Sequence, residues 1–216
     1  MMRNELSFIH RFVPGSRREA APLLLLHGTG GDENDLLPLG ATLSPGAPLL
    51  SPRGKVLEHG MPRFFRRLAE GVFDEDDVRR RADELADFVE AAVRHYGIGA
   101  PVAVGYSNGA NIAAAMLLLR PQVLAGALLL RAMVPVSSLP QPADLAGKPV
   151  LIVSGQHDPI IPASNSEKLA GLLTAAGGAV RHKTLPVGHQ LSQADLTIGR
   201  EWMKTAELAA IDATAD

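Results

Sequence analysis

Four short apolar runs constrain this chain most: APLLLLHG (21–28), PVAVG (101–105), VLAGALLLRA (123–132) and KPVLIVSG (148–155). Each is apolar almost without a break and stops at glycine or beside a charge, as a strand buried on both faces does. Helix-period segments lie between them. Val78, Ala82, Leu85, Ala86, Val89, Ala92, Val93 and Tyr96 share one face of a helix read from Val78, which Gly97, Gly99 and Pro101 end. Asn108 to Leu119 is apolar nearly all round, which predicts a buried helix.

Shorter signals fill in the rest. LSFIHRFVPG (6–15) and APLLSPRG (47–54) read as short strands, and the alternating AVRHKTLP (179–186) as the last one. Ser164 and Glu167 read as a capping box, and Ser192 and Asp195 open a final helix carrying Leu196, Trp202 and Met203. Strands alternating with helices predict an α/β fold, a mostly parallel sheet of about seven strands with helices on both faces. At 216 residues, with no linker or repeat, the expectation is one domain over residues 1–216 without a large cap. Arg53 to Asp77 has no clean period and reads as a long, partly structured loop, a length that tends to be functional.

Several functions are excluded by composition. A net charge of −2 gives no basic footprint, so nucleic acid is not an expected partner. Without cysteine there is no disulfide, thiolate metal site or cysteine nucleophile. MMRNELSFIHRFVPGS has no signal-peptide core, and no apolar run approaches the roughly 20 residues that span a bilayer. The expected location is the cytoplasm, without stable membrane association.

Ligands of such sheets bind at the carboxyl ends of the strands. There, Gly105-Tyr106-Ser107-Asn108-Gly109 spells G-x-S-x-G between a buried strand and a buried helix. The pattern suits a tight turn that exposes one hydroxyl at a helix N-terminus, where developing negative charge is favoured. A serine nucleophile needs a base, and the base an orienting acid. Of seven histidines, His189 is best placed, just after the last strand. His27, before Gly-Thr-Gly, reads as structural beside a turn. His10 and His182 lie within strands, His95 ends a helix, His59 lies in the long loop, and His157 adjoins a better-placed acid. That acid is Asp158, in SGQHDPIIP (154–162), although an Asp-Pro turn alone would look the same. The order serine, acid, histidine, each after its own strand, is that of α/β-hydrolases. Oxyanion donors are expected from the Asn108 N–H and from Thr29 in the glycine-rich loop HGTGGDEND (27–35). That loop is a poor phosphate site, because Glu33 stands where G-x-G-x-x-G needs glycine and Asp32 would repel phosphate.

With these residues placed, the chain resembles the phospholipase/carboxylesterase family of α/β-hydrolases, which includes the acyl-protein thioesterases. LLLLHGTGGDENDL, GYSNGANIAAAM, GQHDPIIP and VGHQLS carry the resemblance over nearly the whole chain. It implies Ser107 as nucleophile, Asp158 as acid, His189 as base, oxyanion N–H groups from Thr29 and Asn108, and no metal or cofactor. Asn108 stands where the thioesterase branch has glutamine, and Arg63, Arg66 and Arg67 crowd the loop before the helix. Both features look more like the bacterial predicted carboxylesterase subgroup, members of which are linked to hydroquinone resistance. The expected substrate is a small ester or thioester. A thioesterase or lysophospholipase activity, or a non-catalytic ligand-binding role, stays open. Dimers occur among relatives, so a homodimer is an available assembly.

For substrate contacts, Leu36, Phe64, Phe65, Phe73, Met133 and Val134 either line an acyl pocket or simply pack. Arg53, Arg63, Arg66 and Arg67 either stay in water, balanced by Glu70 and Asp74 to Asp77, or one of them meets an acidic group on the substrate.

Overall fold

The computed structural model describes residues 6–17, 19–139 and 141–212. Residues 1–5, part of the segment read above for a signal-peptide core, lie outside the described residues. In chain order the elements are β1 (His10–Val13), β2 (Leu23–Leu26), α1 (Leu37–Leu43), β3 (Leu49–Pro52), β4 (Val56–Glu58), β5 (Met61–Arg63), β6 (Arg67–Ala69) and β7 (Val72–Phe73). Then follow α2 (Glu75–Tyr96), β8 (Val102–Tyr106), α3 (Asn108–Leu119), β9 (Gly126–Leu130), β10 (Pro149–Gly155), α4 (Ala163–Ala175), β11 (Ala179–Leu185) and α5 (Gln193–Asp212).

Among the described residues, seven strands form one sheet in the order β1-β3-β2-β8-β9-β10-β11. Only β1 runs antiparallel, against β3; the pairs from β3 across to β11 are parallel. The apolar runs alternate between two cores, as a period of two requires. Leu24, Leu26, Ala103, Leu129, Val150 and Ile152 face a core shared with α2, α3 and α4. Leu23, Leu25, Val104, Leu128, Leu151 and Val153 face the opposite core, closed by α1 and α5 through Leu43, Trp202 and Met203. Helix α3 is buried along almost its whole length, which is why its sequence shows no polar face.

Three local readings are corrected. The segment 53–77 is not mainly loop. It folds into two hairpins, β4–β5 and β6–β7, which turn at His59-Gly60 and Glu70-Gly71 with Gly60 at φ 81° and Gly71 at φ 72°. Strands of two or three residues are too short to show a period. Helix α2 begins at Glu75 rather than Val78, because the Asp74 side chain accepts from the Asp77 N–H and three acidic residues favour the first turn. Helix α4 begins at Ala163 after Pro162, with no side-chain cap, so Ser164 lies inside the helix and the capping box does not form.

Candidate active site

Parallel strands bring their carboxyl ends to one edge. Leu26 is in register with Gly105, Tyr106 with Leu130, and Gly155 with Leu185. Thr29, Ser107, Asp158 and His189 all follow these strand ends.

Ser107 stands between β8 and α3 at φ 52°, ψ −113°, a left-handed conformation that non-glycine residues rarely take. The turn is held by the Ser107 N–H donating to the Leu130 carbonyl at 2.9 Å. Both flanking glycines are required by space. A Cβ on Gly105 would sit 2.6 Å from the Ala110 backbone nitrogen, and one on Gly109 would overlap the backbone of Leu26.

His189 links the hydroxyl to a carboxylate. Its Nε2 lies 3.0 Å from Ser107 Oγ, and its Nδ1 lies 2.8 Å from Asp158 Oδ2. The other oxygen, Asp158 Oδ1, accepts from the N–H groups of Ile160 at 2.9 Å and Ile161 at 3.1 Å. The acid is thereby fixed before it meets the imidazole, and its side chain is only 1% exposed. The Asp-Pro turn and the orienting acid are one structure. With Nδ1–H donating to Asp158, Nε2 is free to take the hydroxyl proton, so the arrangement can activate Ser107 as a nucleophile.

The loop bearing His189 is clamped by a residue that the sequence reading passed over. Arg131, fully buried at the end of β9, has φ 57°. Its Nε donates to the Gly188 carbonyl at 3.0 Å and its Nη2 to the Gln190 carbonyl at 3.1 Å. Its Nη1 and Nη2 also meet Asp195 Oδ1 and Oδ2 at 2.8 and 2.9 Å. The carbonyl between, on His189 itself, accepts from Tyr106 Oη at 3.2 Å. Three successive carbonyls are thus held by two side chains. Asp195 also accepts from the Ser192 N–H and hydroxyl, each at 2.8 Å, so the capping residues read in the sequence anchor the clamp. The available signal was an arginine closing a wholly apolar strand, where only a paired charge is tolerated.

A cavity of about 340 Å³ opens beside Ser107. Thr29, Asn108, Phe73, Met133, Arg63 and Arg67 line it, together with Tyr106, Asn111 and His189. Of the other expected contacts, Leu36 packs in the core closed by α1 and α5. Phe64 and Phe65 are 3% and 0% exposed and pack against α2 and α3. Val134 packs at the edge of that same core. Arg53 is engaged with Glu33, its Nε 2.5 Å from Oε2, and does not line the cavity.

The arginine loop does not simply stay in water. Arg63 is 3% exposed; its Nη1 donates to Thr29 Oγ1 at 2.6 Å and its Nε to the Phe65 carbonyl at 3.2 Å. Arg66 is the one that remains largely exposed, paired with Asp74 at 2.7 Å. Asn108 opens α3, so its own N–H has no partner within the helix. Its side-chain Oδ1 accepts from the Phe64 N–H at 2.7 Å, tying the exit of β5 to the elbow. His27 does the same for the other side of the loop: Nε2 accepts from the Gly54 N–H at 3.0 Å and Nδ1 lies 2.6 Å from the Gly28 carbonyl. Its structural reading holds.

Known proteins agree with this architecture. The phospholipase/carboxylesterase family model matches residues 9–206. MhqD of Bacillus subtilis (strain 168) is 51% identical over 186 residues, covering 85% of this chain and 92% of the relative. The Bacillus cereus carboxylesterase superposes with a TM-score of 0.90 at 46% identity, over 93% of this chain and 95% of that one. A carboxylesterase from Mesorhizobium loti gives 0.87 at 31% identity, over 94% and 97%. The chain therefore belongs to the phospholipase/carboxylesterase family and is an ester-hydrolysing enzyme of the α/β-hydrolase fold.

Proposed function

We propose that residues 1–216 act as one domain that hydrolyses carboxylic esters or thioesters of small or medium acyl substrates, through an acyl-enzyme on Ser107. The observation that carries this reading is the unbroken line of hydrogen bonds from Asp158 through His189 to Ser107. In the first step Ser107 Oγ attacks the substrate carbonyl carbon while His189 Nε2 takes its proton. The Thr29 and Asn108 N–H groups hold the oxyanion. The carbon–oxygen or carbon–sulfur bond to the leaving group then breaks, and His189 returns the proton to that group. In the second step His189 takes a proton from water as it attacks the acyl carbon. The bond to Ser107 Oγ breaks, the acid leaves, and the proton passes back to Ser107. Asp158 fixes the tautomer and stabilises the imidazolium formed in each step.

A fluorophosphonate probe tests the nucleophile, and a panel of 4-nitrophenyl esters and thioesters of graded chain length tests the reaction. The wild type is expected to be labelled and to turn over the shorter esters. Ser107→Ala is expected to lose the label and the rate by at least a thousandfold. Equal labelling of the two proteins would defeat the assignment.

A further inference from the structure

The cavity beside Ser107 has an unusual hydrogen-bonding balance. Two guanidinium groups share one carboxylate: Arg67 Nε donates to Glu58 Oε1 at 2.8 Å, and Arg63 Nε lies 3.1 Å from Glu58 Oε2. Glu58 offers the cavity nothing, because Oε1 is engaged, Oε2 is buried, and the residue does not line the space. Both arginines do line it.

Their donors are not used up. Arg63 has Nη1 on Thr29 and Nε on Phe65, while Nη2 has no hydrogen-bond partner among the described residues, and the residue lines the cavity. Arg67 is bonded through Nε alone, leaving both terminal nitrogens. The formal charges of Arg63, Arg67 and Glu58 cancel once Glu70, at the exposed turn of the β6–β7 hairpin, is counted. Donor and acceptor capacity does not cancel: Arg63 Nη2 and both Arg67 terminal nitrogens stay unbonded among the described residues, against the single carboxylate of Glu70 on the lining. Burial and the nearby Arg67 charge both push the Arg63 guanidinium down, with Glu58 opposing them. A second anion in the cavity would relieve that imbalance, and guanidinium forks fit planar carboxylates.

We propose that Arg63 and Arg67 form a carboxylate-binding subsite next to the nucleophile, so that the substrates are esters carrying a free carboxylate. The assignment rests on the ester-hydrolase reading above. It places the anion close to the oxyanion loop, because Arg63 holds Thr29 directly. Phe64, next in the chain, is tied to Asn108, which fixes Arg63 relative to Ser107.

The test uses substrate pairs that differ only in charge. Monoethyl glutarate is compared with its primary amide by ethanol release, and 4-acetoxybutanoate with 4-acetoxybutanamide by acetate release. The first pair puts the anion on the acyl side, the second on the alcohol side. Each result is the ratio of kcat/KM, anion over amide, within one protein, so a loss of folded enzyme cancels. For a pair that is not turned over, the ratio of inhibition constants against 4-nitrophenyl acetate replaces it. At least one pair is expected to favour the anion tenfold or more in the wild type. Arg67→Gln and Arg63→Gln are each expected to cut that ratio about tenfold, and Glu70→Gln to raise it two- to threefold. Ratios near one in both pairs, or a preference that survives both arginine substitutions, overturn the subsite. Turnover of the amides with no anion preference defeats the subsite and leaves ester hydrolysis standing. Failure of all four esters and of 4-nitrophenyl acetate, with no fluorophosphonate label, defeats both.

Discussion

Gly109 shows how little room the nucleophile turn leaves. Its missing side chain is where α3 passes over the end of β2, against the Leu26 carbonyl. Gly109→Ala is expected to push these two backbones apart and lower stability by about 3 kcal/mol. Because the same shift moves Ser107, fluorophosphonate labelling should fall even at temperatures where circular dichroism shows the fold intact. Arg131 is the opposite case, a large residue whose every donor is directed. Arg131→Lys keeps a positive charge for Asp195 but cannot reach the Gly188 and Gln190 carbonyls together. We expect kcat to fall ten- to a hundredfold with KM little changed, because the loop of His189 loosens. Breaking a buried pair also destabilises, so Arg131→Met/Asp195→Leu serves as the companion: an apolar replacement of both partners restores stability in other proteins. If kcat recovers along with the urea midpoint in that double variant, the clamp matters for folding alone.

At the scale of elements, the legible parts were those with long patterns. The strands β2, β8, β9 and β10 and the helices α2 and α3 have unbroken apolar runs or faces, and Ser107, Asp158 and His189 follow directly from strand ends. The hairpins between residues 56 and 73 were hidden because two- and three-residue strands carry no period, although His59-Gly60 and Glu70-Gly71 mark their turns. Arg63 and Asp77 were hidden for another reason. Charge predicts solvent, and only pairing across the fold puts them inside: Arg63 on Thr29 and Glu58, Asp77 on the Arg66 N–H at 2.8 Å. The first hairpin is attached to the elbow through Asn108, whose Nδ2 is buried without a partner. Asn108 makes this tie from a site only 2% exposed, which leaves little room for a longer side chain. Asn108→Gln is expected to lower the urea-unfolding free energy by about 1–3 kcal/mol through overpacking. Asn108→Ala should cost a similar amount, about 1–3 kcal/mol, by leaving the buried Phe64 N–H unpaired. A neutral result for the alanine variant would show that the tie carries no stability.

For the whole molecule, two histidines packed into the fold, His27 buried and His182 half-buried, give stability a pH dependence. His27, between the oxyanion loop and Gly54, is pushed below its ordinary 6.5 by burial, against its hydrogen bond to Gly28 and the charges of Asp35, Asp32 and Glu33. His182 on β11, 2.8 Å from Ser154 Oγ, is pushed below 6.5 by burial, with Glu167 opposing. As pH falls through 6.5 the unfolded imidazoles take protons before the folded ones do. The unfolded state then binds more protons, so stability rises with pH across this window. The two contributions are complete above about pH 6.5 and are lost as pH drops through the folded values. Carboxylates act lower on the scale. Glu33, hydrogen-bonded by Arg53, and Glu58 and Glu84, where burial is outweighed by basic partners, all sit below 4.5. Their stabilisation is complete above 4.5 and is lost only below it, which separates the two windows. Urea midpoints measured from pH 7.5 to pH 5.0 should therefore decline in the wild type. The decline should be shallower in His27→Gln and shallower again in His27→Gln/His182→Gln, even though both variants start from lower midpoints at pH 7.5. In the folded protein His27 loses its acceptor for the Gly54 N–H only when Nε2 is protonated, which its lowered value delays to below 6.5. A wild-type midpoint flat from pH 7.5 to 5.0 would contradict the assignment of His27 as a neutral strut.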